Sequence, residues 1–320
     1  MVRRLLFSMI TSLALTIALT GLGIFLLANL IGGLSLISAF IIAIIMIILQ
    51  WLIAPSLIRF MYGLRPVKNT EHAWLDDIVT ELSIKSGLKK KLEVYIAPIE
   101  MANAFAFGNA FTGKKVAVTT GLLRILTPEE IKAVLGHELG HIKHRDVEVM
   151  MALSVLPALF YLIARWAYYS GLFGSGGSEE RASSSAVLLA IAGFSMIMYY
   201  ILSLFMLWVS RTREHFADLH SAKIVENGSI NLARALAKLE LTNTRIFRTQ
   251  RTAYKNMLAF KALMITDPER MPEIPYYSNI DEYVMSLARK RITLGEKLAE
   301  LFSTHPLTPK RIRLLLETSS

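Results

Sequence analysis

From Leu5 to Ile58 the chain carries no charged residue, a stretch well over twice the roughly 20 apolar residues that one membrane-spanning helix needs. It is read as two spans, near Leu5–Leu27 and Leu34–Ala54, with Asn29, Gly32 and Gly33 as the turn between them. A cleaved signal peptide behind Arg3 and Arg4 is the alternative, but its apolar part would extend over only about 7 to 15 residues. Two more apolar runs follow, Val149–Leu172 and Ala186–Val209, separated by Gly174-Ser175-Gly176-Gly177-Ser178. Their length favours spans three and four over core helices of a soluble domain. Arg165 interrupts the third run, and its long side chain can reach the nearer end.

The remaining sequence is polar and falls into residues 59–148 and 211–320. In the first part, Thr70 is placed to cap a helix with Trp74, Ile78 and Leu82 on one face and Gly87 at its end. Strand-like runs follow at Glu93–Ala97, Ala102–Phe107 and Lys115–Thr119, which predict a small sheet beside helices. The expected fold class is a mainly α membrane protein with four transmembrane helices and an α+β domain outside the bilayer. Its expected parts are 1–58 (two spans), 59–148 (polar), 149–210 (two spans with a short external loop) and 211–320 (polar).

Composition adds orientation and excludes some chemistry. Hydrophobic residues make up 53% of the chain, too many for an ordinary soluble domain. There is no cysteine, so thiolate nucleophiles, disulfides and Cys-ligated zinc are excluded. The net charge of +10 is spread out rather than gathered into a basic helix or an aromatic stacking module, so nucleic acid is not an expected partner. Arg3, Arg4, Arg59, Arg65, Lys68, Lys143, Arg145, Arg211 and Arg213 flank one set of span ends, whereas the opposite loops hold only Arg181 beside Glu179 and Glu180. By the positive-inside rule both polar parts are cytoplasmic, and they are expected to pack as one domain on a cell membrane.

The strongest chemical signal is His137-Glu138-Leu139-Gly140-His141. Histidines at i and i+4 lie on one helix face about 6 Å apart along the axis, so both imidazoles can reach one ion while the acid between them meets its water. The helix has a sound start, with Thr127 as N-cap, Pro128 in the first position and Glu130 completing a capping box. Without cysteine, a catalytic zinc needs a further His or carboxylate ligand and an open fourth position. His144 lies about 10 Å along the axis from His137, too far to join the other two on one ion. The extended pattern that would supply a third histidine is absent, because His144 and Val147 stand there. Glu214, just past the fourth apolar run in Arg211-Thr212-Arg213-Glu214-His215-Phe216-Ala217-Asp218, is the best source, with His215 and His220 as rivals. Asp218, one turn further, could accept a hydrogen bond from a ligating histidine and fix its tautomer.

Together, His137 to Asp146 and Glu214 to Asp218 closely resemble the HtpX-like membrane zinc metalloproteases, gluzincins related to the CAAX prenyl proteases and mitochondrial stress proteases. The likeness extends over nearly the whole chain. It implies a cytoplasmic zincin-like catalytic domain, one Zn²⁺ per chain, and hydrolysis of unfolded or damaged membrane proteins in quality control under stress. It also implies that Asn103-Ala104-Phe105-Ala106 is an edge strand that pairs with an extended substrate. His305-Pro306, with Arg311 downstream, resembles the family's C-terminal His-Pro motif, which implies an oxyanion contact for His305 and an acid-ordering role for Arg311. A surface helix start at Thr308 and Pro309 is the alternative for that segment. His144 departs from the family pattern, where Asn is expected.

The reaction expected is zinc-assisted peptide hydrolysis, with His137, His141 and Glu214 as ligands and Glu138 moving the proton. An intramembrane metalloprotease is disfavoured by Lys132, Lys143 and Arg145 around the motif helix. A scaffold with structural zinc would not need Glu138 or an open position. A CAAX-type prenyl-peptide protease would need a larger enclosed chamber than four spans provide.

Overall fold

The computed structural model describes residues 36–173, 179–249, 279–303 and 305–318. The expected first span, Leu5–Leu27, lies outside them. In chain order the elements are α1 (Leu36–Met61), β1 (Arg65–Pro66), α2 (Trp74–Ser86), β2 (Glu93–Ala97), β3 (Ala104–Asn109), β4 (Gly113–Thr119) and α3 (Thr120–Ile125). Then come α4 (Pro128–Lys143), α5 (Asp146–Phe173), α6 (Glu179–Ile224), α7 (Gly228–Thr249), α8 (Ile280–Arg289), α9 (Leu294–Leu301) and α10 (Thr308–Glu317).

Two compact units result. Of the described residues, 36–52, 150–173 and 179–206 form a helical unit, and 53–149 with 207–249, 279–303 and 305–318 form the other. The helical unit turns apolar side chains outward, among them Ile45, Ile48, Phe194 and Ile197. That is the reverse of a water-soluble bundle and fits a hydrocarbon surround. Among the described residues one helix, Ser185–Ile224, is long and apolar enough to cross a membrane. The expected second and third runs are helical in α1 and α5 without meeting that standard there, so the four-span count goes beyond these residues.

The second unit is the α+β part. Its sheet has the order β1-β2-β4-β3, with β2 and β4 parallel and the two outer pairings antiparallel, so β3 is an edge strand. Phe105, Phe107, Val116, Ala117 and Val118 fill the core, each large apolar side chain contributing about 1.5–3 kcal/mol by leaving water. The strand predicted at Ala102 starts at Ala104 instead, because the Asn243 side chain takes both the N–H and the C=O of Ala102, each at 3.0 Å. At its far end β3 reaches Asn109, whose Oδ1 closes the turn by accepting from Thr112 N–H at 2.8 Å.

The buried face of α2 is Leu75, Val79, Leu82 and Ser86, not the predicted row from Trp74 through Ile78. Ile78 is only half-buried, since Leu75 and Val79 share the 3.6-residue spacing equally well one step over. Thr70 accepts from His72 N–H at 3.2 Å and so closes the turn before the helix rather than capping it; Ala73 is the cap. Gly87 ends α2 as expected, in the left-handed conformation. Helix α4 packs on α2, β3 and α7, which places it at the centre of this unit.

Candidate metal centre

Helix α4 starts as its sequence dictates. Thr127 Oγ1 accepts from Glu130 N–H and Glu130 Oε2 accepts from Thr127 N–H at 2.9 Å, with Pro128 in the first turn. From Glu130 to Ile142 every residue but Lys132 is buried. What lets a second helix approach is the pair Gly136 and Gly140. A Cβ on Gly140 would stand 3.0 Å from Ala217 Cα, and one on Gly136 would stand 2.9 Å from a Val225 methyl. The end of α6 therefore packs backbone-close, and Ser221 Oγ donates to Ala133 O at 2.6 Å. One and two turns earlier on α6, Asp218 and Glu214 face the histidines.

The resulting cluster is His137, His141 and Glu214, all buried. His137 Nε2 lies 3.1 Å from His141 Nε2. Glu214 Oε1 is 3.5 Å from His141 Nε2, and Glu214 Oε2 is 3.7 Å from His137 Nε2. Tetrahedral ligands at about 2.1 Å from one ion stand about 3.4 Å apart, so the three donors fit a shared metal. Behind them, His137 Nδ1 meets Asp218 Oδ1 at 2.9 Å and His141 Nδ1 meets Asp146 Oδ2 at 2.6 Å. An ionised carboxylate only accepts, so each Nδ1 holds its ring's proton and each Nε2 presents a lone pair. Burial also pushes the His141 imidazole down to about 3, against the pull of Glu214, which keeps that ring neutral. Two lone pairs facing at 3.1 Å satisfy neither nitrogen, whereas a cation between them satisfies both.

Around this core stand charges of both signs. Arg311 Nε donates to Asp218 Oδ2 at 2.8 Å and Nη2 to Oδ1 at 2.6 Å, a two-pronged bond, while Nη1 reaches Glu214 Oε2 at 3.5 Å. His305 Nδ1 lies 2.9 Å from Glu214 Oε2. Glu138 accepts from the β3 N–H of Ala106 on Oε2 at 3.2 Å. Its other oxygen, Oε1, is buried and accepts no hydrogen bond from the described residues. Burial pushes the Glu138 carboxyl up, against the pull of both histidines.

Sequence reading placed His137, Glu138, His141, Glu214, Asp218, His305 and Arg311 near one another, and all seven meet here. Asn103 is buried just before β3, with its N–H donated to Thr119 Oγ1 at 2.8 Å. His144 is exposed and caps the end of α4, and His220 is bonded to Ser86 Oγ at 2.9 Å, so neither joins the cluster. Asp146 was missed, and with it Arg213, which donates to Asp146 and to the His144 carbonyl. Its place depends on the break after α4, which no residue type marks: Arg145, at φ +55°, turns the chain so that Asp146 comes back to His141.

Residues 69–319 match the sequence pattern of Peptidase family M48. This chain belongs to that family. Protease HtpX homolog 2 of Saccharolobus solfataricus is 36% identical over 276 residues, spanning 85% of this chain and 82% of its own. Protease HtpX homolog 1 of Sulfolobus acidocaldarius is 35% identical over 319 residues, spanning 98% and 96%. The crystal structure of S. mikatae Ste24p is similar at a TM-score of 0.57 and 19% identity, over 98% of this chain and 67% of that one, a likeness of fold. The M48 chain is thus a membrane metalloprotease of the HtpX type, with a buried donor set suited to a metal ion.

Proposed function

We propose that this M48 peptidase is a zinc endopeptidase that cleaves unfolded or damaged proteins, including membrane proteins, from the cytoplasmic side of a cell membrane. The observation that carries the reading is the pair of Nε2 atoms facing each other at 3.1 Å beside the Glu214 carboxylate. We assign His137, His141 and Glu214 as ligands of one Zn²⁺, a set that leaves a fourth position open for chemistry. Bound zinc supplies Lewis acidity toward a scissile carbonyl and an attacking water. Glu138 takes the proton of that water and hands it to the leaving amine, and its raised pKa brings it nearer the neutral range where such a base works best. Asp218 and Asp146 keep both histidines in the ligating tautomer. His305, beside Glu214 Oε2, steadies that carboxylate, and the family resemblance adds a contact to the oxyanion. Arg311 holds Asp218 in place.

Substrate choice follows from β3. An edge strand binds an extended chain through main-chain hydrogen bonds, a mode indifferent to side-chain identity and suited to unfolded protein. Asn103 would lie at the start of that pairing. The strand is buried from Ala104 to Asn109, so a substrate reaches it by displacing what covers it. For the membrane part we propose four spans, residues 5–27 with the apolar runs in α1, α5 and α6. The arginines and lysines at one set of their ends keep the site cytoplasmic.

The test is cleavage of casein and of an unfolded membrane protein by the purified full chain in detergent. Loss of cleavage with a chelator and its return with zinc are expected. A metal-loaded chain that cuts neither substrate would contradict the proposal and favour a scaffold.

A further inference from the structure

Helix α9 is built inside out. At 3.6 residues per turn, Leu294, Leu298, Leu301 and Phe302 fall within an arc of about 100°, while Glu296 and Glu300 lie on the opposite side. In a helix packed on a water-soluble core the leucines would face inward. Here the acids do. Glu300 is buried, accepting from Leu307 N–H at 3.0 Å and from Lys310 Nζ at 2.5 Å. Glu296 closes a capping box with Thr293 and pairs with Lys290 at 2.8 Å. The apolar arc is left outside, with Leu294 78%, Leu298 61%, Leu301 48% and Phe302 73% exposed.

The C-terminal end of this helix is tied to α6. Arg211 is the first charged residue after the apolar run Ala186–Val209, so it marks the level at which α6 leaves hydrocarbon. Its Nη1 donates to the carbonyls of Glu300 at 2.9 Å, Leu301 at 3.1 Å and Ser303 at 2.6 Å. The C-terminal end of α9 is thus fastened to that exit level. Trp208, one turn before Arg211, is half-exposed, as an aromatic anchor at a lipid boundary should be. Charge agrees: Arg289, Lys290 and Arg291 precede the helix, all exposed, and Lys297 borders the apolar arc. An apolar stripe rimmed by cations is the pattern of a helix that lies in a bilayer surface with anionic headgroups.

We propose that α9 lies in the headgroup boundary of the bilayer that α6 crosses, with Leu294, Leu298, Leu301 and Phe302 turned into lipid. The segment His305-Pro306 follows this helix directly, so the contact moors one arm of the metal centre to the membrane surface. The inference rests on the reading of α6 as a span, and the experiment keeps the two apart.

The natural chain has no cysteine, so single-cysteine variants can be labelled at one position each. Leu298→Cys and Phe302→Cys test the helix, Ile197→Cys in α6 tests the span, and Ile84→Cys in α2 provides a water-exposed reference. Each full-length variant carries a small polarity-sensitive dye in vesicles of phosphatidylcholine with phosphatidylglycerol. Quenching is read with a nitroxide on the upper acyl chain and with aqueous iodide. At 298 and 302 the lipid nitroxide should quench several-fold more than iodide, with the reverse at 84. If 298 and 302 behave like 84, the helix faces water and the proposal is wrong. Shielding from both quenchers would overturn it too, since a protein surface, either another part of this chain or a second copy, would then cover the face. Lipid quenching at 197 alone would defeat this inference and leave the span reading standing. Iodide quenching at 197 would defeat both.

Discussion

The two histidines that face each other in the metal centre are held from behind in different ways. His137 rests on Asp218, which is gripped by Arg311 from 93 residues further along the chain, and all three are almost fully buried. His141 rests on Asp146, only five residues away, and the arginine behind it, Arg213, is 22% exposed. The first support is long-range and dry, the second local and partly wet. Charges sealed from water interact strongly and are costly to leave unpaired, whereas a charge open to solvent is partly screened and replaceable. The C-terminal arm should therefore decide whether the site forms, and the local arm should tune it.

Arg311→Met is the most severe way to test that difference. It leaves Asp218 buried without its cation, and a loss of about 3–5 kcal/mol in stability is expected, read as a lower denaturation midpoint of the detergent-solubilised chain. Arg311→Lys, which keeps the charge without the two-pronged geometry, should recover part of it.

Next come the two carboxylates. Asp218→Asn and Asp146→Asn should each weaken metal affinity by roughly 10–100-fold, with Asp218→Asn also lowering stability because Arg311 loses its partner. Equal stability losses in titrations of the two variants would erase the proposed contrast. The smallest change is expected from Arg213→Gln: less than about a tenfold loss of metal affinity, because water can take over part of its role at Asp146. A loss as large as that of Arg311→Met would show that the two arms are alike.

What the sequence revealed follows the same division between near and far. The His137–His141 face and the Thr127 capping box were legible because helix period and cap chemistry operate within a few residues. Glu214 and Asp218 were legible from their place just past an apolar run and from family resemblance, although the device that joins the helices, Gly136 and Gly140 against Ala217 and Val225, acts across about eighty residues. Asp146 was close in sequence and still missed, because the reading carried the motif helix onward. The turn at Arg145 depends on a backbone conformation that its residue type does not announce. The register of α2 failed for another reason: two neighbouring stripes carried the same apolar period, and only packing on α4 chose between them. Asn243, which shortens β3, could not be found from a sequence separation of 141.

The proposed division of labour has one acid moving protons while three other side chains hold the metal. Metal content and peptide cleavage measured side by side on Glu138→Gln and Glu214→Ala test it most directly. One bound zinc and no detectable turnover are expected for Glu138→Gln, and loss of both zinc and turnover for Glu214→Ala. Cleavage at the natural rate by Glu138→Gln, or full zinc occupancy in Glu214→Ala, would contradict it.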